Sequence, residues 1–207
     1  HMKVGTFISP HLIEVNERIL LDMTPISDRE LESISKYVRE KLGNSDTSPT
    51  YFEYIFYIAT VFFSKTNPDY VILETGMGGR LDVTNVFEDT LSIITSIGMD
   101  HMQFLGNSIK EIAYEKAGII KHNSTVIFDD SNEEANEIIR EFAKSKAAKI
   151  IPLSDFDYES LKFTYVKYKK KAAALAILGA GQLLNTIDNI DEALTKTVWH
   201  GRMEEIE

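Results

Sequence analysis

Three polar clusters follow directly on short apolar runs of this 207-residue sequence, and each holds side chains able to bind a cation or move a proton. The first is Ser9-Pro10-His11, where the run Lys3 to Ile8 stops. A proline there breaks a strand ladder and turns the chain, leaving Ser9 and His11 near the strand's carboxyl edge. A binding role and a plain strand-ending turn account for it equally well. The second is Glu74-Thr75-Gly76-Met77-Gly78-Gly79-Arg80-Leu81-Asp82-Val83-Thr84-Asn85. A carboxylate at the mouth of a buried strand is costly unless it is paired or binds a metal, and closely spaced glycines let backbone approach a ligand. With Glu74 before the glycines and Asp82 after them, the stretch reads as a ligand-binding turn. The third, Thr95-Ser96-Ile97-Gly98-Met99-Asp100-His101, repeats the pattern and makes His101 a candidate metal ligand. Further on lies Lys116, within Glu115-Lys116-Ala117-Gly118-Ile119-Ile120-Lys121. On spacing alone, Lys116 is a cation complementing the carboxyl end of a helix dipole.

The elements that must position these groups are legible in the pattern around them. Capping boxes at Ser27/Glu30, Thr50/Glu53, Ser108/Glu111 and Ser131/Glu134 predict four helix starts. The first helix continues through Leu31, Ile34, Val38 and Leu42, the second through Phe63, the third to the Gly118 region and the fourth to about Ala147. Apolar runs at Lys3 to Ile8, Tyr70 to Glu74, Leu91 to Ser96, Thr125 to Phe128 and Lys149 to Leu153 predict strands. Nearly unbroken apolar strands alternating with helices predict an α/β fold, with a mostly parallel sheet covered by helices on both faces. Ligands bind such sheets at the carboxyl ends of the strands, so chemistry belongs just after Ile8, Glu74 and Ser96. Asp155 to Tyr168 alternates weakly, as an edge strand or hairpin does. Helices follow at Lys171 to Leu184 and Ile190 to Thr195. No linker rich in proline, glycine or serine is present, and one domain is the economical reading.

Composition narrows the classes of function. Hydrophobic residues make up 43% and charged residues 26%, enough apolar surface for a core. No apolar run reaches the roughly 18–20 residues of a membrane span. Without a single cysteine, disulfides, thiolate catalysis and zinc–thiolate sites are excluded. With no signal peptide visible, a cytoplasmic protein is expected. The balance of 22 basic against 32 acidic residues, net −10, argues against nucleic acid as a partner. A local cluster of Lys167, Lys169, Lys170 and Lys171 reads as a solvated strand or loop end. The glycine-rich stretch is neither the dinucleotide fingerprint nor a phosphate loop, because its spacings differ and no Gly-Lys-Ser/Thr follows.

Taken together, these stretches resemble the folylpolyglutamate synthases, including their bifunctional dihydrofolate synthase form, within the Mur ligase family. The resemblance is carried by Ser9-Pro10-His11-Leu12 with Asn16-Glu17-Arg18-Ile19, Pro25-Ile26-Ser27, Thr50-Tyr51-Phe52-Glu53 and Glu74 through Asn85. Ile94 through His101 with Leu105-Gly106, Glu115 through Ile120 and Trp199 through Glu204 complete it. It implies a Mur-ligase-type P-loop NTPase domain in an ATP-dependent amide ligase. ATP phosphorylates a folate carboxylate (tetrahydrofolate or dihydropteroate), and the amino group of L-glutamate displaces the phosphate. Mg2+ ions neutralise charge between nucleotide and acyl group. By the resemblance, Glu74 and His101 are magnesium ligands and Lys116 matches a lysine carried as a carbamate, whose two oxygens help bind magnesium. Thr50, Phe52 and Asp82 fall where the pterin-bearing substrate binds, Ser9 and His11 lie in a substrate-proximal loop, and Arg202 matches a nucleotide-contacting arginine.

The resemblance also implies parts that the sequence lacks. A Gly-Lys-Ser loop is expected before Lys3, a Gly-x-His-Gln-x-x-Asn segment between Tyr168 and Lys171, and a further domain after Glu207. His200 stands where a proline is usual. Residues 1–2 then read as a tag remnant and residues 3–207 as an incomplete central ATP-binding domain, without the C-terminal ligase domain and inactive alone. Three other readings compete. A peptidoglycan-precursor ligase of the same family is disfavoured by Ser-Pro-His-Leu and Asn-Glu-Arg-Ile. A non-catalytic folate-binding module would keep the substrate face without the ATP loop. A nicotinamide-dependent oxidoreductase lacks its Gly-x-Gly-x-x-Gly.

Overall fold

The structure is a computed structural model, and it describes residues 2–43, 48–164 and 166–197. The chain divides into two compact units, residues 1–77 with 82–86, and residues 78–81 with 87–207. Its strands form two sheets.

The first unit holds a four-stranded mixed sheet in the order β3-β2-β1-β4. β1 (Val4–Phe7) runs parallel to β4 (Tyr70–Leu73) and antiparallel to β2 (Ile19–Leu21), which turns back into β3 (Thr24–Pro25). The β2–β3 hairpin has no counterpart in the sequence reading. Its two-residue turn, Asp22-Met23, has φ of 49° and 63°, the backbone that Asn-Gly ordinarily signals. Asp22 offsets the missing glycine by accepting a hydrogen bond from the Val4 N–H at 2.8 Å. Helices α1 (Asp28–Leu42) and α2 (Tyr51–Thr66) start at the expected capping boxes of Ser27 and Thr50. Their apolar faces meet Phe7, Ile19 and Ile26 in one core with Ile34, Phe56 and Ile58. β4 departs from the expected buried strand. It is parallel, but it ladders only to β1, and Val71 and Ile72 are exposed.

The second unit has the predicted α/β layering. β5 (Leu91–Ile94), β6 (Thr125–Phe128) and β7 (Lys149–Pro152) are parallel, in the order β5-β6-β7. Successive side chains of a strand point to opposite faces. Val126 and Phe128 accordingly pack with Ile112 and Ala113 of α4 (Ile109–Ala117) and Ile139 of α5 (Glu133–Ser145). Ile127 packs instead with Ala174 and Leu175 of α6 (Lys167–Leu183). A single turn, α3 (Met102–Leu105), precedes α4, and α7 covers Ile190–Lys196. The α5 cap is Asn132 rather than Ser131, whose N–H instead bonds Asp129.

Two expectations fail here. Between β7 and α6 the described residues form 3-10 turns at Leu153–Asp155 and Tyr158–Ser160, not an edge strand. The lysine cluster opens α6, and Lys171 is not solvated surface. Its Nζ lies 2.8 Å from Asp129, a residue 5% exposed at the carboxyl end of β6. None of the described helices is long and apolar enough to cross a membrane.

Candidate functional site

Within the first unit, the carboxyl ends of β1 and β4 carry the predicted groups. The ladder continues past β4 with the Glu74 N–H donating to the Phe7 carbonyl at 2.8 Å. This sets the Glu74 carboxylate beside the Ser9-Pro10-His11 loop, where Oε2 accepts the Ser9 N–H at 2.7 Å. The Ser9–Pro10 peptide is cis. His11 Nδ1 accepts a hydrogen bond from Arg18 Nε at 2.9 Å, and the Arg18 guanidinium carbon lies 5.4 Å from the Tyr51 ring centroid. The loop is fastened by Glu17, whose carboxylate accepts the N–H groups of Leu12, Ile13 and Glu14 at 2.7, 3.1 and 2.9 Å. Those backbone donors, with the nearby His11, hold its pKa below the usual carboxylate range against a smaller opposing effect of burial.

Phe52 leans on Phe7, ring centroids 5.4 Å apart, and covers Gly76 so closely that a Cβ there would lie 2.7 Å from the ring. Thr50 is a helix cap in a reciprocal box. Its Oγ1 accepts the Glu53 N–H at 3.3 Å, and its own N–H donates to Glu53 at 2.7 Å. Asp82 is engaged four times by its own turn. Oδ2 accepts the N–H groups of Gly76 and Met77 at 3.1 Å each, and Oδ1 accepts the Thr84 N–H and hydroxyl at 2.9 and 2.6 Å. A carboxylate has about four lone-pair sites, so the acid braces the turn.

In the second unit the glycines serve the protein's own packing. A Cβ on Gly79 would lie 2.7 Å from Ile119 and 3.0 Å from the Glu115 carbonyl oxygen. Gly78 and Gly79 thus let the segment 78–81 lie against the end of α4 and the turn after it. Arg80, to which the sequence reading gave no role, fixes that segment. Its N–H donates to the Glu115 carbonyl at 2.8 Å, and its guanidinium holds the Glu115 carboxylate through Nε and Nη2, at 3.2 and 2.9 Å. With Glu115 so occupied, Lys116, one residue along, has no carboxylate within salt-bridge distance among the described residues. Burial lowers the Lys116 pKa below the usual lysine value, with the Asp100 charge opposing it. His101 sits at the amino end of α3 with a left-handed backbone (φ 51°), its Nε2 3.7 Å from Asp100. Asp100, His101 and Lys116 therefore belong to this unit, and Ser9, His11, Thr50, Phe52, Glu74 and Asp82 to the first. Arg202 lies outside the described residues.

Comparison with known proteins identifies the family. The chain is 39% identical to the dihydrofolate synthase/folylpolyglutamate synthase of Bacillus subtilis, matching over 97% of this chain and 55% of that protein. That alignment runs over 237 positions against a chain of 207, so the relative carries segments inside the matched region that this chain does not. Among solved structures, the apo form of L. casei FPGS superposes with a TM-score of 0.89 at 27% identity, over all of this chain and 58% of that one. E. coli FolC in complex with DHPP and ADP gives a TM-score of 0.85 at 28% identity, over all of this chain and 53% of that one. The chain thus spans little more than half the length of these relatives. With the Mur ligase middle domain matching residues 26–189, most of its length, the chain belongs to the Mur ligase family.

Proposed function

We propose that the chain is the middle-domain part of a folylpolyglutamate synthase, possessing or lacking dihydrofolate synthase activity, which joins L-glutamate to a folate at the expense of ATP. The likeness to the B. subtilis synthase carries this reading, and a solved FPGS-AMPPCP-folate complex, with a TM-score of 0.89 to this chain, holds folate with an analogue of ATP. A carboxylate is a poor electrophile. Transfer of the ATP γ-phosphoryl group to it gives an acyl phosphate, and the glutamate amino group then forms the amide as phosphate leaves.

The donor set suits magnesium carried by a nucleotide. Among the described residues no three histidines or acids gather as a metal cage. A nucleotide-borne Mg2+ keeps phosphate oxygens and waters and asks the protein for one or two groups. Glu74 would hold one such ion and His101 a second, and each ion would neutralise phosphate charge. Lys116 is the proposed site of carbamoylation. A partly buried amine without a carboxylate partner is more readily neutral, and its lone pair attacks CO2. A nitrogen–carbon bond forms, a proton leaves, and the cation becomes a two-oxygen anion. Ser9, His11, Thr50 and Phe52 border the acceptor substrate, and Asp82 acts by holding its own turn.

The full-length protein is expected to release ADP only when magnesium, a folate and L-glutamate are all supplied. ADP release that ignores folate and follows a muropeptide would overturn the assignment. For Lys116, ¹³C-bicarbonate is expected to yield a carbamate carbon resonance in the wild type and none in Lys116→Arg. A wild-type spectrum without that signal returns Lys116 to a helix-end cation.

A further inference from the structure

Arg18 is 8% exposed, yet no carboxylate pairs with it among the described residues. Its adjacent acid, Glu17, is committed to the N–H groups of residues 12–14. A guanidinium has five N–H donors, and among the described residues only Nε is used, on His11. No side-chain nitrogen among the described residues is both sealed from solvent and without a hydrogen bond, so the Nη groups open on solvent from an otherwise covered side chain. A largely buried cation without an anion bears a desolvation penalty, which the Tyr51 ring offsets only in part. His11 receives that bond at Nδ1, which leaves its Nε2 uncommitted among the described residues. The next two residues, Leu12 and Ile13, are 63% and 85% exposed.

We propose that Arg18 binds a carboxylate of the acceptor substrate through its Nη groups, with His11 held beside it by Arg18 and Leu12 and Ile13 meeting the ligand's uncharged body. This rests on the reading that the acceptor is a folate, whose glutamyl end carries carboxylates. Arginine suits the task because its planar fork meets a carboxylate through two parallel hydrogen bonds. The fork is already oriented by His11 and Tyr51, so little side-chain entropy remains to be lost on binding.

The test compares folate with its glutamyl diamide, by calorimetry on the full-length protein, in the wild type, Arg18→Gln and Arg18→Lys. The wild type is expected to bind folate more tightly than the diamide. Arg18→Gln is expected to weaken folate by about tenfold to a hundredfold, the span for one lost charged hydrogen-bonding pair, and to leave the diamide unchanged. Arg18→Lys, which keeps charge without the fork, is expected to fall between. Equal weakening of both ligands in Arg18→Gln would make Arg18 merely structural. A wild-type protein that binds the diamide as tightly as folate overturns the proposal without any variant. A wild-type protein that binds no folate overturns the folate reading itself, and the wild-type trace alone distinguishes that failure.

Discussion

Phe7→Ala is expected to cost the fold about 4 kcal/mol, a typical value for removing a buried aromatic ring. Phe7 is fully buried at the end of β1, with the Phe52 and Phe56 rings 5.4 and 5.5 Å away. Truncation opens a cavity and removes two tilted ring contacts at once, each worth about 1 kcal/mol beyond its area. The damage reaches the site, because Phe52 leans on Phe7 and covers Gly76, while the Phe7 carbonyl receives the Glu74 N–H. Phe7→Leu keeps most of the volume and is expected to cost under about 1.5–2 kcal/mol. Urea denaturation followed by circular dichroism distinguishes the two; equal losses would mean that the ring contributes no packing of its own.

Lys171→Met is expected to destabilise by about 3 kcal/mol at neutral pH, the lower end for breaking a buried pair from one side. The lysine stem is kept, but the Asp129 carboxylate, 5% exposed, loses the ammonium that bonds both its oxygens at 2.8 and 3.1 Å. Burial alone pushes the Asp129 carboxyl up. Hydrogen bonds from Lys171 and Ser131, with the lysine charge, outweigh it and hold the pKa below the usual aspartate value. A depressed pKa in the folded state means that the contribution is present above the unfolded pKa and is lost as pH falls through the folded one. The gap between wild type and Lys171→Met should therefore shrink below about pH 4, because a protonated Asp129 no longer needs its cation. A gap of the same size at pH 7 and pH 3 would place the effect in lost packing instead. Asp129→Asn combined with Lys171→Met should recover part of the loss.

Local signals foretold the parts of the structure that are themselves local. Helices begin at the predicted Ser27, Thr50 and Ser108, because a capping hydroxyl and the orphan N–H groups are within one turn; the box is reciprocal at Ser27 and Thr50, while Glu111 turns to the Asn107 N–H. The alternation at Val126, Ile127 and Phe128 put helices on both faces of β6 for the same reason, since a strand's side chains must alternate. The β2–β3 hairpin escaped because Asp22-Met23 adopts a glycine-favoured turn and draws support from Val4, eighteen residues away.

What the sequence by itself determined was most of the helices, the parallel strands and the family, because propensities, caps and motifs lie in neighbouring residues. Only the tertiary structure decided how individual polar groups are spent, because a side chain's partners come from distant parts of the chain. Asp82 reads as a free ligand until its turn fills all its lone pairs. Glu115 is taken by Arg80, thirty-five residues earlier, and so is not the counter-charge of its neighbour Lys116. Lys171 looks like solvated charge until Asp129, forty-two residues before it, meets it inside the fold. Arg18 is one residue of a motif in the sequence; burial without a counter-charge is what makes it a candidate to hold one.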